Sequence, residues 1–172
     1  MKKAIFIFLF FCNLSFFGQE KINWISFEKA VELNKTNPKP FVVSIYTNWC
    51  GWCKKMDATT YKNSVIIKAI NTNYYAVKLN GEQPTSISYK EYTFQHKQQG
   101  KTKYHELAAL LMNGKLAYPT TVILNKEEKL LNRTQGYVTP KDLEKLLAYF
   151  IKKDRKTKDW GRFSKRFKSE IN

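Results

Sequence analysis

A short run of β-branched and aromatic residues, Phe41 to Tyr46, stands shortly before a pair of cysteines. Such a run predicts a buried strand. Cys50 and Cys53 follow it at the start of a predicted helix that continues to about Thr60. In an open sheet with helices on its faces, reactive groups lie at the carboxyl ends of central strands. The cysteine pair is predicted to stand at such an end.

The rest of the chain alternates between helical and extended patterns. The predicted order is a helix from Ser26, the strand 41–46, the Cys50 helix, a helical piece over 65–70, a strand over 74–79, a short helix over 106–112, paired strands over 120–124 and 129–135, and a last helix with Pro140 at its first position. Residues 81–103 are polar and aperiodic, which predicts a long loop or an irregular insertion. Alternation that ends in a hairpin predicts an α/β fold, with a mixed central sheet covered by helices on both faces.

The start of the chain has the pattern of a secretory signal peptide. A basic start, Lys2-Lys3, precedes an apolar run from Ala4 to Phe11, and the small residue Gly18 marks the expected cleavage site. A permanent membrane helix is the competing interpretation, but the run is shorter than the ~20 apolar residues that a span needs. We therefore expect an exported, periplasmic protein whose leader is cleaved near Gly18, rather than a membrane-anchored form.

The length of 172 residues suits one domain with one core. The sequence divides into the leader over 1–18, a domain over 19–152 with the insertion near 81–103, and a basic tail over 153–172. Loss of Lys2 and Lys3 with the leader lowers the formal net charge of +16 by two, to +14. A basic tail can bind nucleic acid or anionic lipid, but export argues against nucleic acid. We expect the tail to be solvated and partly frayed.

The two cysteines that remain after cleavage of the leader are better suited to a redox reaction than to a structural disulfide. A bridge across two residues closes almost no loop and gains little entropic stabilisation. Cys50 at the helix start lies among unpaired N–H groups that favour an anion, which lowers the pKa of its thiol. Lys54 and Lys55 would add positive potential. Cys53 lies one turn further, where it is shielded, so we expect Cys50 to attack and Cys53 to resolve the mixed disulfide.

A metal site is the alternative use of paired cysteines. A zinc site needs four ligands, and the chain offers one cysteine pair, with His96 and His105 in or beside the insertion. We expect these histidines to be ordinary surface or loop residues. A copper(I) carrier stays open, because paired thiolates suit cuprous copper. The expectation is nevertheless that the protein holds no metal and no cofactor.

Four segments carry a resemblance to a known family. They are Trp49-Cys50-Gly51-Trp52-Cys53-Lys54-Lys55-Met56, Lys78-Leu79-Asn80, Tyr118-Pro119-Thr120 and Gly136. With the first segment following a hydrophobic strand, the chain resembles the thioredoxin-like family over roughly residues 24–152. The resemblance implies a thioredoxin-like three-layer sandwich and the activity of a thiol–disulfide oxidoreductase, a reductase or interchange enzyme.

The resemblance also implies roles for individual residues. The bond between Tyr118 and Pro119 is cis in the family, and its loop faces the cysteines and pairs with extended substrate backbone. Lys54 and Lys78 are expected to tune the cysteine pKa values. The residues expected to bind substrate are Trp49, Gly51, Trp52, Tyr118, Pro119 and Thr120.

Two residues depart from the family pattern. Ser44 stands where thioredoxins have a buried aspartate that assists proton transfer at the second cysteine, although Lys78, which resembles the partner of that acid, is present. Proton handling must therefore differ, through water or another carboxylate, and Asp57 is only a weak candidate. Trp52 stands where thioredoxins have proline and disulfide isomerases have histidine, a position that tunes the redox poise.

Partners follow from the resemblance and the leader together. We expect disulfide-bearing exported proteins as substrates, and a membrane-bound electron donor because soluble cytosolic donors cannot reach the compartment. We expect no nucleic acid and a monomeric protein. The insertion is expected to border the active site and to affect the choice of partner. A non-catalytic thiol-based module, such as the copper(I) carrier, is the alternative function.

Overall fold

The structure, a computed structural model, describes residues 20–151 and 159–172. The predicted signal peptide over 1–18 lies outside the described residues, and so do residues 152–158. Within the described part of the chain, no helix is long and apolar enough to cross a membrane.

Strands and helices alternate along the described residues. The strands are β1 (Trp24–Ile25), β2 (Phe41–Tyr46), β3 (Tyr75–Asn80), β4 (Ile87–Tyr89), β5 (Tyr92–Phe94), β6 (His96–Gln99), β7 (Thr102–His105), β8 (Thr120–Leu124) and β9 (Leu130–Gln135). The helices are α1 (Phe27–Thr36), α2 (Gly51–Ala58), α3 (Ser64–Asn73), α4 (Glu106–Leu111), α5 (Pro140–Ile151) and α6 (Trp160–Arg166), with a 3₁₀ turn at Thr60–Lys62.

The central sheet is mixed, as the alternating pattern predicts. Its strand order is β1-β3-β2-β8-β9, so β2 lies in the middle. β2 runs parallel to β3 and antiparallel to β8, β1 is parallel to β3, and β9 is antiparallel to β8. The cysteine pair, just after the carboxyl end of β2, therefore stands at the end of the middle strand.

Helices cover both faces of this sheet. One core contains Phe27 and Ala30 of α1, Leu107 and Ala108 of α4, and Val43 and Ile45 of β2. The other core contains Met56 of α2, Ile66 and Ile70 of α3, Leu143 and Leu147 of α5, and Val42 of β2. Successive residues of β2 face opposite layers because side chains alternate along a strand. The predicted three-layer sandwich is confirmed.

Side chains cap the starts of α1 and α3. The Ser26 hydroxyl oxygen accepts a hydrogen bond from the Lys29 N–H at 3.1 Å, which caps α1. The Asn63 side-chain oxygen accepts from the N–H groups of Val65 and Ile66 at 3.0 and 3.3 Å, which caps α3. Such caps satisfy backbone donors that have no partner inside the helix.

The insertion differs from the predicted loop because it forms two short hairpins. β4 pairs with β5, and β6 pairs with β7, both antiparallel. Ile87 and Phe94 from the first hairpin are buried in the core on the α1 and α4 face. The strands are three or four residues long, too short for their alternation to stand out against the polar residues around them.

The end of the chain over 159–172 is largely exposed, as expected of a solvated tail, but its last residues contact the domain. Beyond α6, Glu144 of α5 accepts hydrogen bonds from the Ser169 hydroxyl and from the Glu170 N–H, the latter at 2.8 Å. Ile171 packs against the core on the α3 and α5 face. Glu144 is buried, so these contacts supply the partners that a buried carboxylate needs. Residues 169–171 are thus docked on the domain.

Candidate active site

The end of β2 brings the chain to the cysteine pair. The buried Thr47 accepts a hydrogen bond from the Cys50 N–H at its carbonyl oxygen, at 3.2 Å. Cys50 has extended backbone and is the N-cap of α2, which begins at Gly51. The Cys50 sulfur accepts a hydrogen bond from the Cys53 N–H at 3.1 Å. The sulfur occupies the place of a capping oxygen, where the helix dipole favours negative charge.

Cys50 and Cys53 are joined by a disulfide, with their Cα atoms 5.3 Å apart. The two residues are almost equally buried, at 4% and 3% exposure. Exposure in this oxidised state therefore does not distinguish the attacking sulfur from the resolving one. Their positions do, since Cys50 caps the helix and Cys53 lies within its first turn.

Trp49 forms a wall on one side of the disulfide. Its side chain is 66% exposed, and its indole N–H donates to both carboxylate oxygens of Glu82, at 3.0 and 3.1 Å. The Trp49 ring also meets the Tyr118 ring edge to face, with centroids 5.8 Å apart. A large aromatic surface is thus held in one orientation while it remains open to solvent.

Tyr118 is packed tightly against the first residue of the insertion. A Cβ atom on Gly81 would lie 2.5 Å from the Tyr118 ring, so only glycine permits this approach. Burial raises the pKa of Tyr118 to about 12, and the negative charge of Glu82 acts in the same direction. The phenol therefore stays neutral at physiological pH.

The loop that carries Tyr118 is closed by backbone and side-chain hydrogen bonds. The Tyr118–Pro119 peptide bond is cis. The Pro119 carbonyl oxygen accepts from the Gly136 N–H at 2.7 Å, and the Thr120 hydroxyl donates to the Ala117 carbonyl oxygen at 2.6 Å. The contact of Tyr118 with Trp49 places this loop beside the cysteine motif.

Trp52 and Tyr137 form the wall on the other side. Trp52 is 58% exposed, and its ring centroid lies 5.8 Å from that of Tyr137. The Lys55 ammonium stands over both rings, 4.7 Å from the Trp52 centroid and 5.3 Å from the Tyr137 centroid. A hydrogen bond with Thr59 is the main cause that lowers the pKa of Tyr137, and Thr60 and Lys55 contribute. A Cβ atom on Gly51 would have no neighbour within 4 Å, so Gly51 is open to solvent.

A charged pair lies on the sheet face that α2 covers. Lys78 of β3 donates to the Asp57 carboxylate of α2. The Lys78 ammonium also lies 4.8 to 5.2 Å from the ring centroids of Trp24, Tyr46 and Tyr61. Burial raises the pKa of Tyr61 to about 12.

The histidines do not form a metal site in the described residues. Among residues 20–151 and 159–172, no group of three or more histidine, cysteine, aspartate or glutamate side chains is arranged to hold a metal ion. His105 is fully buried, and its Nδ1 accepts a hydrogen bond from the Leu107 N–H at 3.3 Å, which caps α4. The expectation that His105 is a surface or loop residue is therefore wrong.

Most of the residues expected at the site lie around the disulfide. Trp49 and Trp52 belong to the cysteine segment itself, Tyr118 contacts Trp49, and Lys54 is exposed on α2. Glu82 and Tyr137 were missed, since nothing in their local sequence links them to the two tryptophans. The sequence does indicate that Asp57 lies near Cys53, because the two residues are four apart on one helix.

The family comparison matches most of the described chain. A family model for the thioredoxin-like domain matches residues 27–151. A protein disulfide-isomerase of Schizosaccharomyces pombe is 26% identical over 133 residues, which is 77% of this chain and 29% of that protein. The chain spans less than a third of the length of the curated relatives it matches.

Solved structures share the fold at low sequence identity. The solution structure of a thioredoxin from Thermus thermophilus superposes with a TM-score of 0.56 at 13% identity, covering 76% of this chain and 87% of that one. A thioredoxin-fold protein from Helicobacter pylori superposes with a TM-score of 0.54 at 16% identity, covering 86% of this chain and 87% of that one.

Proposed function

Because this chain belongs to the thioredoxin-like family, we propose that it is a thiol–disulfide oxidoreductase that reduces or interchanges the disulfides of exported proteins. The observation that carries the proposal is the place of the cysteine pair. The Cys50 sulfur caps α2 and is bonded to Cys53 one turn further, so a thiolate at Cys50 would be stabilised by the helix.

The proposed reaction has two exchange steps. The Cys50 thiolate attacks a substrate disulfide, a mixed disulfide forms, and the first substrate sulfur leaves as a thiolate that takes a proton. Cys53 loses its proton and attacks Cys50, which releases the second substrate sulfur. The substrate is reduced by two electrons and the Cys50–Cys53 disulfide forms. A partner must then reduce this disulfide again, and the same steps in reverse make the site an oxidant.

The groove between the aromatic walls is the proposed place for substrate. Trp49 and Trp52 stand close to Gly51 in the sequence, both side chains are exposed, and a Cβ atom on Gly51 would have no neighbour within 4 Å. An extended substrate segment would pair with the backbone of the Tyr118–Pro119–Thr120 loop by strand addition. Because Gly81 and Glu82 hold Tyr118 and Trp49, we propose that the insertion affects which partners bind.

Compartment and electron supply are part of the same proposal. The signal-peptide pattern of residues 1–18 supports export to the periplasm. An exported reductase would depend on a membrane-bound donor, since cytosolic donors do not reach it. The tail carries basic residues, but export argues against nucleic acid as a partner.

Reduction of insulin, with dithiothreitol as the electron source, tests the proposal. The protein should accelerate the reduction, and Cys50→Ser should abolish the acceleration because no attacking thiolate remains. The matched variant Cys53→Ser should instead accumulate a covalent mixed disulfide with the substrate, since resolution is blocked. Full activity in Cys50→Ser would refute the mechanism. Stoichiometric copper(I) binding without reductase activity would favour the carrier instead.

A further inference from the structure

Cys53 lacks the acid that the family pattern would place beneath it. Position 44 in β2 holds Ser44, which is 2% exposed and has no ionisable group at neutral pH. Ser44 and Lys78 are register partners on the parallel strands β2 and β3. Their side chains therefore share one face of the sheet, the face that α2 covers. The Lys78 ammonium is thus present on this face, but position 44 supplies no carboxylate.

The structure shows which carboxylate Lys78 has as its partner. Lys78 binds Asp57, and three aromatic rings stand around its ammonium, with centroids at 4.8, 5.2 and 5.0 Å. Ring faces attract a cation and restrict where it can lie. The Lys78 side chain is 20% exposed, so its ammonium lies among these rings while it binds the Asp57 carboxylate.

Asp57 stands where it can serve Cys53. The two residues are four apart on α2, and residues at this spacing are neighbours on one side of a helix. Cys53 is 3% exposed, so bulk water has poor access to its thiol. The Asp57 side chain is 44% exposed, so a proton on this carboxylate can pass to solvent. Asp57 thus lies one turn beyond the shielded sulfur and is itself open to water.

We propose that Asp57, positioned by Lys78, takes the proton of Cys53 when Cys53 displaces the substrate sulfur from Cys50. The inference rests on the proposed function. In this step the S–H bond of Cys53 breaks and its proton moves to the Asp57 carboxylate. The S–S bond between Cys53 and Cys50 forms, the bond from Cys50 to the substrate sulfur breaks, and that sulfur leaves with the electron pair. Asp57 then gives the proton to solvent or to the departing thiolate.

The two exchange steps can be observed separately with one reagent. The reduced protein is mixed with one equivalent of 5,5′-dithiobis(2-nitrobenzoate) in a stopped-flow instrument. Attack by Cys50 releases one coloured thionitrobenzoate anion, and attack by Cys53 on the mixed disulfide releases the second. Because this anion leaves without a proton, the second phase depends on deprotonation of Cys53. The first phase tests the proposed function, and the second tests the role of Asp57.

Asp57→Asn should slow the second phase at neutral pH on the order of a hundredfold and leave the first phase unchanged. The rate should recover as the pH rises, because hydroxide then takes the proton directly. Asp57→Glu should restore most of the rate, and Lys78→Met should slow the second phase. Glu32→Gln, which removes the partner of Lys29 in an exposed ion pair on α1, is the control and should change neither phase.

A second phase that Asp57→Asn leaves unchanged would overturn the inference. So would an equal slowing at every pH, because a merely structural defect is not relieved by hydroxide. Absence of the first phase in the unmodified protein would instead refute the proposed function, and the inference with it.

Discussion

Trp49 illustrates how a single side chain at the site depends on a distant segment. Its indole N–H donates to Glu82, which lies 33 residues away in the sequence. The neighbouring Gly81 leaves room for the Tyr118 ring that Trp49 contacts. An exposed tryptophan without such a partner would sample several rotamers, and ordering it would cost entropy when substrate binds. The start of the insertion thus preorganises one wall.

His105 is the residue whose titration should be visible in the stability of the domain. Burial is the main cause that lowers the pKa of His105, and the negative charges of Glu106 and Glu28 oppose it. His96, its register partner on β6, lowers the pKa further. The folded protein therefore keeps this imidazole neutral at pH values where the unfolded chain binds a proton.

The free energy of unfolding should fall as the pH drops below the ordinary histidine pKa of 6.5. Above that value neutral His105 makes its full contribution to the free energy of unfolding. This contribution is lost as the pH falls toward the lowered pKa of His105 in the folded state. Urea denaturation across this range measures the loss. His105→Asn, which keeps an acceptor for the α4 cap, should reduce the pH dependence. An unchanged pH dependence in His105→Asn would contradict the assignment.

At the scale of elements, the insertion belongs to the core of the domain. The β4–β5 hairpin contributes Ile87 and Phe94 to the core that α1 and α4 cover. The His105 N–H, just after the insertion, donates to the Gly81 carbonyl oxygen at 2.7 Å, so a hydrogen bond joins the two ends of the insertion. A clean deletion of residues 84–100 would therefore remove core side chains as well as surface, and point substitutions are better probes.

Ile87→Ala should destabilise the protein by about 2 to 5 kcal/mol, because it leaves a cavity in a site that is 2% exposed. Chemical denaturation at neutral pH measures the change in the free energy of unfolding. Ser88→Ala on the exposed side of β4 is the matched control and should cost no more than about 0.5 kcal/mol. If the two variants are equally stable, the hairpin is not an integral part of the core.

At the scale of the whole molecule, positive charge is in large excess. The formal net charge of the full sequence is +16, and it would be +14 without Lys2 and Lys3. Lys54 and Lys55 are exposed on α2 beside the disulfide. A field of this sign attracts anionic partners over distances comparable to the Debye length.

The rate of reaction with an acidic disulfide peptide should therefore fall as salt is added. Between about 20 mM and about 500 mM sodium chloride we expect kcat/KM to drop by about tenfold, because screening removes the electrostatic attraction. A neutral peptide with the same disulfide is the control and should change little. Equal salt dependence for the two peptides would show that the charge of the protein does not steer its substrates.

The sequence by itself determined β2, β3, β8 and β9 of the central sheet and the place of the cysteines, whereas β1, only two residues long, was missed. The runs over 41–46 and 120–124 are rich in β-branched residues, and these strands are buried on both faces. β3 also carries Lys78 and Asn80, and its burial is only partial. Ser26 as the cap of α1 and Pro140 at the start of α5 are equally local signals. Each of these features depends on residues that are close together in the chain.

Only the tertiary structure decided what surrounds the disulfide. The Lys78–Asp57 pair joins residues 21 positions apart, and the Trp49–Glu82 contact joins residues 33 apart. Such contacts depend on strand register and on how a helix lies across the sheet. Neither leaves a recognisable pattern in residues that are close together in the chain. The hairpins of the insertion and the docking of Ser169 and Glu170 on Glu144 escaped prediction for the same reason.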